Sequence, residues 1–266
     1  MAHSKASRER ERGLVWLFGT HPVIAALNNP ERDPRRLLIV GETPTSLSEE
    51  RLIGLNSERV SRADIEARLP PGAVHQGVAL LASVLAPRPI EVVLEATVPR
   101  LAVVLDRVTD PHNVGAIVRS AAAFGASAVI VTERHAPPLS GTLAKAAAGA
   151  LETMPVVRVV NLARALDRLK LEGFRVMGLD MAASRTLADA LDGAMATGSR
   201  ANATGGARAS APEDVALVLG AEGRGLRRLT AERCDERVRL PITTAVESLN
   251  VSNAAAIALY ALSSRC

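Results

Sequence analysis

The chain has 266 residues, 48% hydrophobic and 23% charged, an ordinary globular balance that suits one large or two modest domains. Its two cysteines, Cys234 and Cys266, stand far apart without CxxC or a Cys/His cluster, which argues against a disulfide framework or a metal site and fits a reducing cytoplasm. A formal charge of +4, 32 Lys and Arg residues and a pI near 9.7 point toward polyanions, whereas aromatics at 2% leave too few rings for a base-stacking platform, so any RNA contact must rest on phosphate, ribose and arginine.

Residues 1–13 read as a charged, mobile tail that lacks the apolar stretch of a signal peptide. No later run approaches the roughly 18 uncharged residues of a membrane span. Strand-like and helix-like stretches then alternate: Leu14 to Phe18, His21 to Asn28, Arg36 to Val40, Ser48 to Asn56, and a closing Gln76 to Leu85. These define a small α/β domain over 14–85. The Ala86-Pro-Arg-Pro89 stretch favours extended backbone and opens a linker over 86–98.

From residue 99 to 266 the alternation resumes, with strands expected at Leu101 to Leu105, Ala128 to Thr132, Val156 to Val160, Val176 to Leu179, Val215 to Leu219 and Val238 to Leu240. Helices between most of them predict a parallel sheet covered on both faces. Near 181–214 the pattern dissolves into Ala, Gly, Ser, Thr and Asn, which is expected to be a flexible insertion.

Three polar turns stand at strand ends or helix starts: Asp106 to Arg119, Gly220 to Gly225, and Glu247 to Asn253. Open α/β sheets keep their sites at such places. In the first, Arg119 is the one charge in the apolar run from Asn113 to Gly125, and a guanidinium enclosed there needs an anion, with phosphate or a carboxylate such as Glu222 or Asp106 as candidates. The second turn reads GxxGxG, late in the chain, and so does not match the dinucleotide fingerprint GxGxxG. In the third, Ser248 and Asn250 precede the apolar stretch Ala254 to Leu262, where a helix cap is one reading and a ligand contact another; the same two readings apply to Asn113.

The order and spacing of Leu105–Ala121, Val218–Leu226 and Leu240–Ser252 resemble the three motifs of the SpoU (TrmH) family of RNA ribose 2′-O-methyltransferases. Leu17-Phe-Gly-Thr-His-Pro-Val and Gly72-Ala-Val-His-Gln-Gly-Val are similar to the N-terminal substrate-binding domain of the RlmB-type 23S rRNA guanosine methyltransferases. The resemblance implies a SPOUT-type α/β fold whose parallel sheet ends in a C-terminal trefoil knot, an exception to the rule that chains avoid knots, joined to a small N-terminal α/β substrate-binding domain. It further implies S-adenosylmethionine as methyl donor, lying against backbone at Gly220, Leu240 and Leu249, no metal, a homodimer, and 23S rRNA as substrate. Asn113, Arg119, Glu222, Ser248 and Asn250 would form the catalytic and RNA-facing set. Related enzymes share these motifs on other RNAs, so tRNA methylation and a catalytically silent RNA-binding protein are the alternatives.

Overall fold

The computed structural model describes residues 13–42, 44, 47, 52–97, 99–197, 214–221, 223, 225–243 and 246–264, without the side chains of 193–197. The charged tail before Gly13, the first part of the Ser48 to Asn56 stretch, Glu222 and residues 198–213 lie outside the described residues. Contacts divide the chain into two compact units. One takes in the chain to Pro87 together with Asp110–Arg119 and Pro137–Thr153; the other takes in Arg88–Thr109, Ser120–Ala136 and the chain from Met154 onward.

The first unit is built on a four-stranded sheet of β1 (Leu14–Phe18), β2 (Pro34–Ile39), β3 (Ser57–Arg59) and β4 (Val78–Ser83), in the order β1-β4-β2-β3. Strand β4 runs antiparallel to both neighbours, while β2 and β3 are parallel. Its VALLAS sequence is buried almost throughout, as a central strand should be, whereas the polar Ser57–Arg59 edge is largely exposed. Helix α1 (Thr20–Asn28) packs on β1 and β4, and the short α2 (Arg62–Glu66) starts in a capping box between Ser61 and Asp64. One charge pair is sunk in this unit: Arg32 donates from Nε and Nη2 to Glu152 at 2.8 and 2.7 Å, with side chains 0% and 3% exposed.

The second unit contains six parallel strands, β5 (Leu101–Asp106), β6 (Ala128–Thr132), β7 (Val156–Val159), β8 (Arg175–Leu179), β9 (Val215–Gly220) and β10 (Glu236–Val238), ordered β10-β8-β9-β5-β6-β7. The parallel sheet expected from the apolar runs is present, each strand within a residue or two of its expected limits. Alternate residues Ala102, Val104, Ile130, Val157, Ala216 and Val218 face one core, which Leu166 and Leu169 of helix α6 (Leu162–Leu171) complete.

Two expectations are corrected. The 86–98 segment is not merely a connection: Arg88 bridges Val157, and the short helix α3 (Glu91–Leu94) buries Val93 in that same core. Within 181–214, helix α7 (Leu187–Thr197) forms where a flexible insertion was expected. Thr186 and Asp189 close a reciprocal cap on its first turn, a Thr-x-x-Asp signal hidden in a small-residue stretch, and Leu187 and Ala190 are buried. Helix α8 (Arg228–Arg233) leads into β10, and α9 (Val251–Ser263) packs on β9 and α7.

Arg100 pins the amino ends of β5 and β9. Its backbone N–H and Nη2 donate to Asp214 at 2.6 and 2.7 Å, and its guanidinium lies 4.6 Å over the Phe174 ring. Burial pushes the Asp214 carboxyl up, but the hydrogen bonds and charge of Arg100 outweigh it and hold the group below its ordinary 3.8. A carboxyl depressed in the folded state stabilises above its unfolded value and loses that contribution as the pH falls through the lower folded value. Wild-type stability measured by denaturant titration is therefore expected to decline below about pH 4 more steeply than that of Asp214→Asn. In the first unit, Glu152→Ala strands the buried Arg32 and should cost about 3–5 kcal/mol in the same measurement, whereas the Arg32→Met/Glu152→Leu pair should cost much less.

Candidate functional site

Strand β5 ends in a buried carboxylate. Asp106 has no solvent exposure and sits in register beside Gly220, the last residue of β9. An ionised carboxylate in that position needs donors, and Arg227 supplies two: its backbone N–H at 3.0 Å and its Nε at 2.6 Å. The turn that leaves β9 is thereby tied back to β5. Asp106 thus pairs with Arg227 rather than with Arg119.

Between these anchors the chain reverses tightly. Ala221 and Gly225 form an antiparallel bridge, with Gly225 N–H donating to the Ala221 carbonyl at 2.9 Å, and Gly223 and Gly225 have left-handed φ values of 72° and 61°. A Cβ on Gly220 would collide with the Gly225 carbonyl group and the Leu226 nitrogen. Leu226 packs against the sheet core, over Gly178, where a Cβ would lie 2.7 Å from its Cδ1. Cys234 is beside it; burial first, then Asp235, pushes its thiol up to about 12, which removes thiolate chemistry from this place.

At the third turn, Leu240 is buried, Leu249 half-buried, and Ser248 and Asn250 exposed. Asn250 caps α9: its Oδ1 accepts from the Ser252 backbone N–H at 2.8 Å and from Ser252 Oγ at 2.6 Å. The cap is therefore Asn250 rather than Ser248. Gly220, Leu240, Ser248, Leu249 and Asn250 all belong to the second unit, while Asn113 and Arg119 belong to the first.

Helix α4 (Pro111–Ala123) carries those two residues. Asp110 precedes it and accepts from the His112 backbone N–H at 2.9 Å and from Asn113 Nδ2 at 3.3 Å, so Asp110 takes the capping position and Asn113, largely buried, lies within the first turn. Gly115 brings α4 against helix α5 (Gly141–Ala146): its Cβ would fall 2.6 Å from that of Ala146. Arg119 is exposed, not enclosed. At about 100° per residue, Val114, Ile117, Val118 and Ala121 share the buried face and Arg119 points away from it, with His112 and Ala123. The sequence misled because alanines flank Arg119 on both faces. The guanidinium has no ion pair among the described residues, so it is open to an external anion.

The Asp106–Arg227 clamp is absent from the sequence expectations. Its one signal is a buried strand closing on Asp and a glycine turn closing on Arg, and nothing in the spacing pairs them. In the first unit, the two N-terminal motifs meet: Gly19 N–H donates to the Val78 carbonyl at 3.2 Å, and Gln76 Oε1 accepts from the Thr20 backbone N–H at 3.2 Å and from Lys145 Nζ at 2.6 Å.

A family model described as the SpoU rRNA Methylase family matches residues 100–260. A Burkholderia sp. protein named 23S rRNA (guanosine-2′-O-)-methyltransferase RlmB is 42% identical over 93% of this chain and 95% of its own length. A Vibrio vulnificus protein of the same name is 35% identical over 92% of this chain and 94% of its own. Among solved structures, the SpoU methyltransferase AviRb from Streptomyces viridochromogenes, in complex with AdoMet, superposes with a TM-score of 0.75 at 22% identity, covering 97% of this chain and 92% of that one. The likeness establishes a shared SPOUT fold.

Gly220→Ala tests the turn directly. The methyl group has no room, so the variant should lose about 1–3 kcal/mol of stability in denaturant unfolding, whereas Gly223→Asn, at a left-handed position open to solvent, should lose under about 1 kcal/mol.

Proposed function

Because the chain belongs to the SpoU rRNA methylase family, we propose that it transfers the methyl group of S-adenosylmethionine to the 2′-hydroxyl of a guanosine ribose in 23S rRNA. The observation that carries this reading is similarity to the RlmB proteins over nearly the whole chain, N-terminal unit included, since the appended N-terminal region distinguishes RNA targets among enzymes that share the catalytic motifs. The basic composition and the scarcity of aromatic residues accord with an RNA held through phosphate and ribose.

The second unit offers features that suit the cofactor. The Gly220 turn presents main chain where any side chain would collide, and Leu240 and Leu249 supply apolar surface. Gly220, Leu240 and Leu249 would hold the donor against backbone. When bound, S-adenosylmethionine supplies an electrophilic methyl on a sulfonium, and the protein's task is to aim and activate a neutral hydroxyl, a weak nucleophile.

Arg119 is the residue assigned to that task. A guanidinium does not release its proton and so is a poor general base, but an exposed one can grip the phosphate next to the target ribose and polarise its 2′-hydroxyl. Asn113 helps to hold the ribose, and Glu222, Ser248 and Asn250 complete the catalytic and RNA-facing set that the family resemblance assigns. Residues 14–85 serve as the RNA substrate-binding domain and 99–266 as the methyltransferase domain, whose C-terminal segment threads a trefoil knot. The enzyme acts in the cytoplasm as a homodimer; Ile257 and Tyr260, 48% and 63% exposed on one face of α9, provide apolar surface for a second copy.

Transfer of label from S-adenosylmethionine to unmodified 23S rRNA and to tRNA, with mapping of the modified ribose, tests the reading. One methylated guanosine in 23S rRNA is expected; label in tRNA alone would move the substrate, and RNA binding without transfer would refute the enzymatic activity. Arg119→Ala should lower turnover at least about 10²-fold while leaving S-adenosylmethionine affinity within about twofold; parallel loss of both would count against its assigned role.

A further inference from the structure

The carboxyl rim of β6 and β7 holds a cavity of about 260 Å³ that none of the three motif turns accounts for. Its polar lining comes from Thr132, Arg134, His135, Asn161, Arg227 and Thr230, and no carboxylate is among its lining residues. The guanidinium of Arg134, unpaired among the described residues, and the imidazole of His135 share this space with the guanidinium of Arg227, whose one carboxylate partner, Asp106, is not among the lining residues, and the set favours an anion by composition. Arg227 is fixed there because Asp106 engages its Nε. Arg134 and His135 are exposed and make no ion pair among the described residues.

Backbone chemistry at the same place has the same sign. Asn161 caps α6 with its side chain accepting from Arg164 N–H at 3.2 Å, and the next two residues, Leu162 and Ala163, whose first-turn amides have no acceptor in the helix, are also among the lining residues. The rim is apolar: Val160 and Leu229 are 80% and 55% exposed. A bare inorganic anion gains nothing from that surface, whereas a nucleotide places its phosphate on the cations and its sugar or base face on the aliphatic side chains.

We propose that this cavity binds a backbone phosphate of the RNA substrate, away from the methylated ribose, with the adjoining nucleoside lying on Val160 and Leu229. The assignment rests on the reading of the chain as an RNA methyltransferase and adds a second anchoring point to it.

The test compares the wild-type protein with Arg134→Gln/His135→Gln, two exposed positions outside the residues assigned to catalysis or to the donor, and with Arg134→Glu. An unmodified 23S rRNA fragment is titrated across a range of salt concentrations, and steady-state methyl transfer is measured. The double variant is expected to bind about tenfold more weakly, with KM for RNA raised by a similar factor and the slope of log K against log salt flattened by about 0.7 to 0.9, one phosphate's worth. Arg134→Glu should bind more weakly still, while kcat at saturating RNA and affinity for S-adenosylmethionine stay at wild-type values. Unchanged affinity and slope in both variants would overturn the proposal. Guanosine monophosphate and inorganic phosphate are titrated as well: if the double variant loses either of these while keeping RNA affinity, the cavity serves a free phosphate compound and the RNA assignment is wrong. A wild-type protein that neither binds nor methylates RNA would instead overturn the underlying enzymatic reading, and this assignment with it.

Discussion

The Asp106 carboxylate is the constraint around which the carboxyl rim of the large sheet is arranged. It is the terminal residue of a strand whose every other position is buried and apolar, so it enters the interior because its neighbours must. Once there, it requires donors, and each hydrogen bond to the ionised group is worth about 1.5–3 kcal/mol against leaving it bare. Arg227 meets the requirement from beyond the glycine turn, which fixes both ends of that turn: Gly220 by strand pairing, Arg227 by charge. The next residue, Arg107, is held at a left-handed φ of 60°, a conformation that costs a non-glycine residue about 1–3 kcal/mol and persists only where its surroundings over-determine it.

The same two central strands are pinned at their other end by Arg100 and Asp214. Between the pins, β5 and β9 are apolar and contribute register and rigidity rather than chemistry. This division separates stability from function along a single strand pair. The amino-end pair holds the sheet, and the carboxyl-end pair holds a turn whose value lies in displaying main chain. Gly178 extends the logic: its missing side chain admits Leu226, so the residue that follows Gly225 is seated against the core.

Much of this was legible in the residues. Strands β5, β6 and β9 are nearly continuous apolar runs and were readable as such, whereas β7 and β8 carry Arg158 and Arg175, and the polar edge strand β10 meets its expected span only at Val238. Strand β3 was not readable, because Ser57–Arg59 is a polar edge segment whose pairing is decided by β2 rather than by its own composition. Helix α7 was obscured because its alanines carry little hydrophobic signal, although Thr186 and Asp189 wrote its cap into the chain. The motif residues were visible by type and order, yet the orientation of Arg119 and the capping duties of Asp110 and Asn250 depend on helical phase, which composition does not report. The Asp106–Arg227 pair spans 121 positions, a separation at which no local pattern operates.

Charge distribution explains how a protein of modest net charge can address a polyanion selectively. Many of its arginines are spent on the fold: Arg32, Arg36, Arg100, Arg185, Arg233 and Arg237 each have a carboxylate partner. Paired cations contribute little to a long-range field, since their partners cancel them within a Debye length of about 8–10 Å. The attraction toward RNA therefore falls to cations with no such partner among the described residues, and Arg119 and Arg134 are two of these. A surface uniformly rich in unpaired arginine would bind any nucleic acid in any register. Pairing many of the arginines within the fold instead leaves the uncompensated charge to particular side chains, so that in the proposed reading phosphate contacts form at those places rather than over the whole surface.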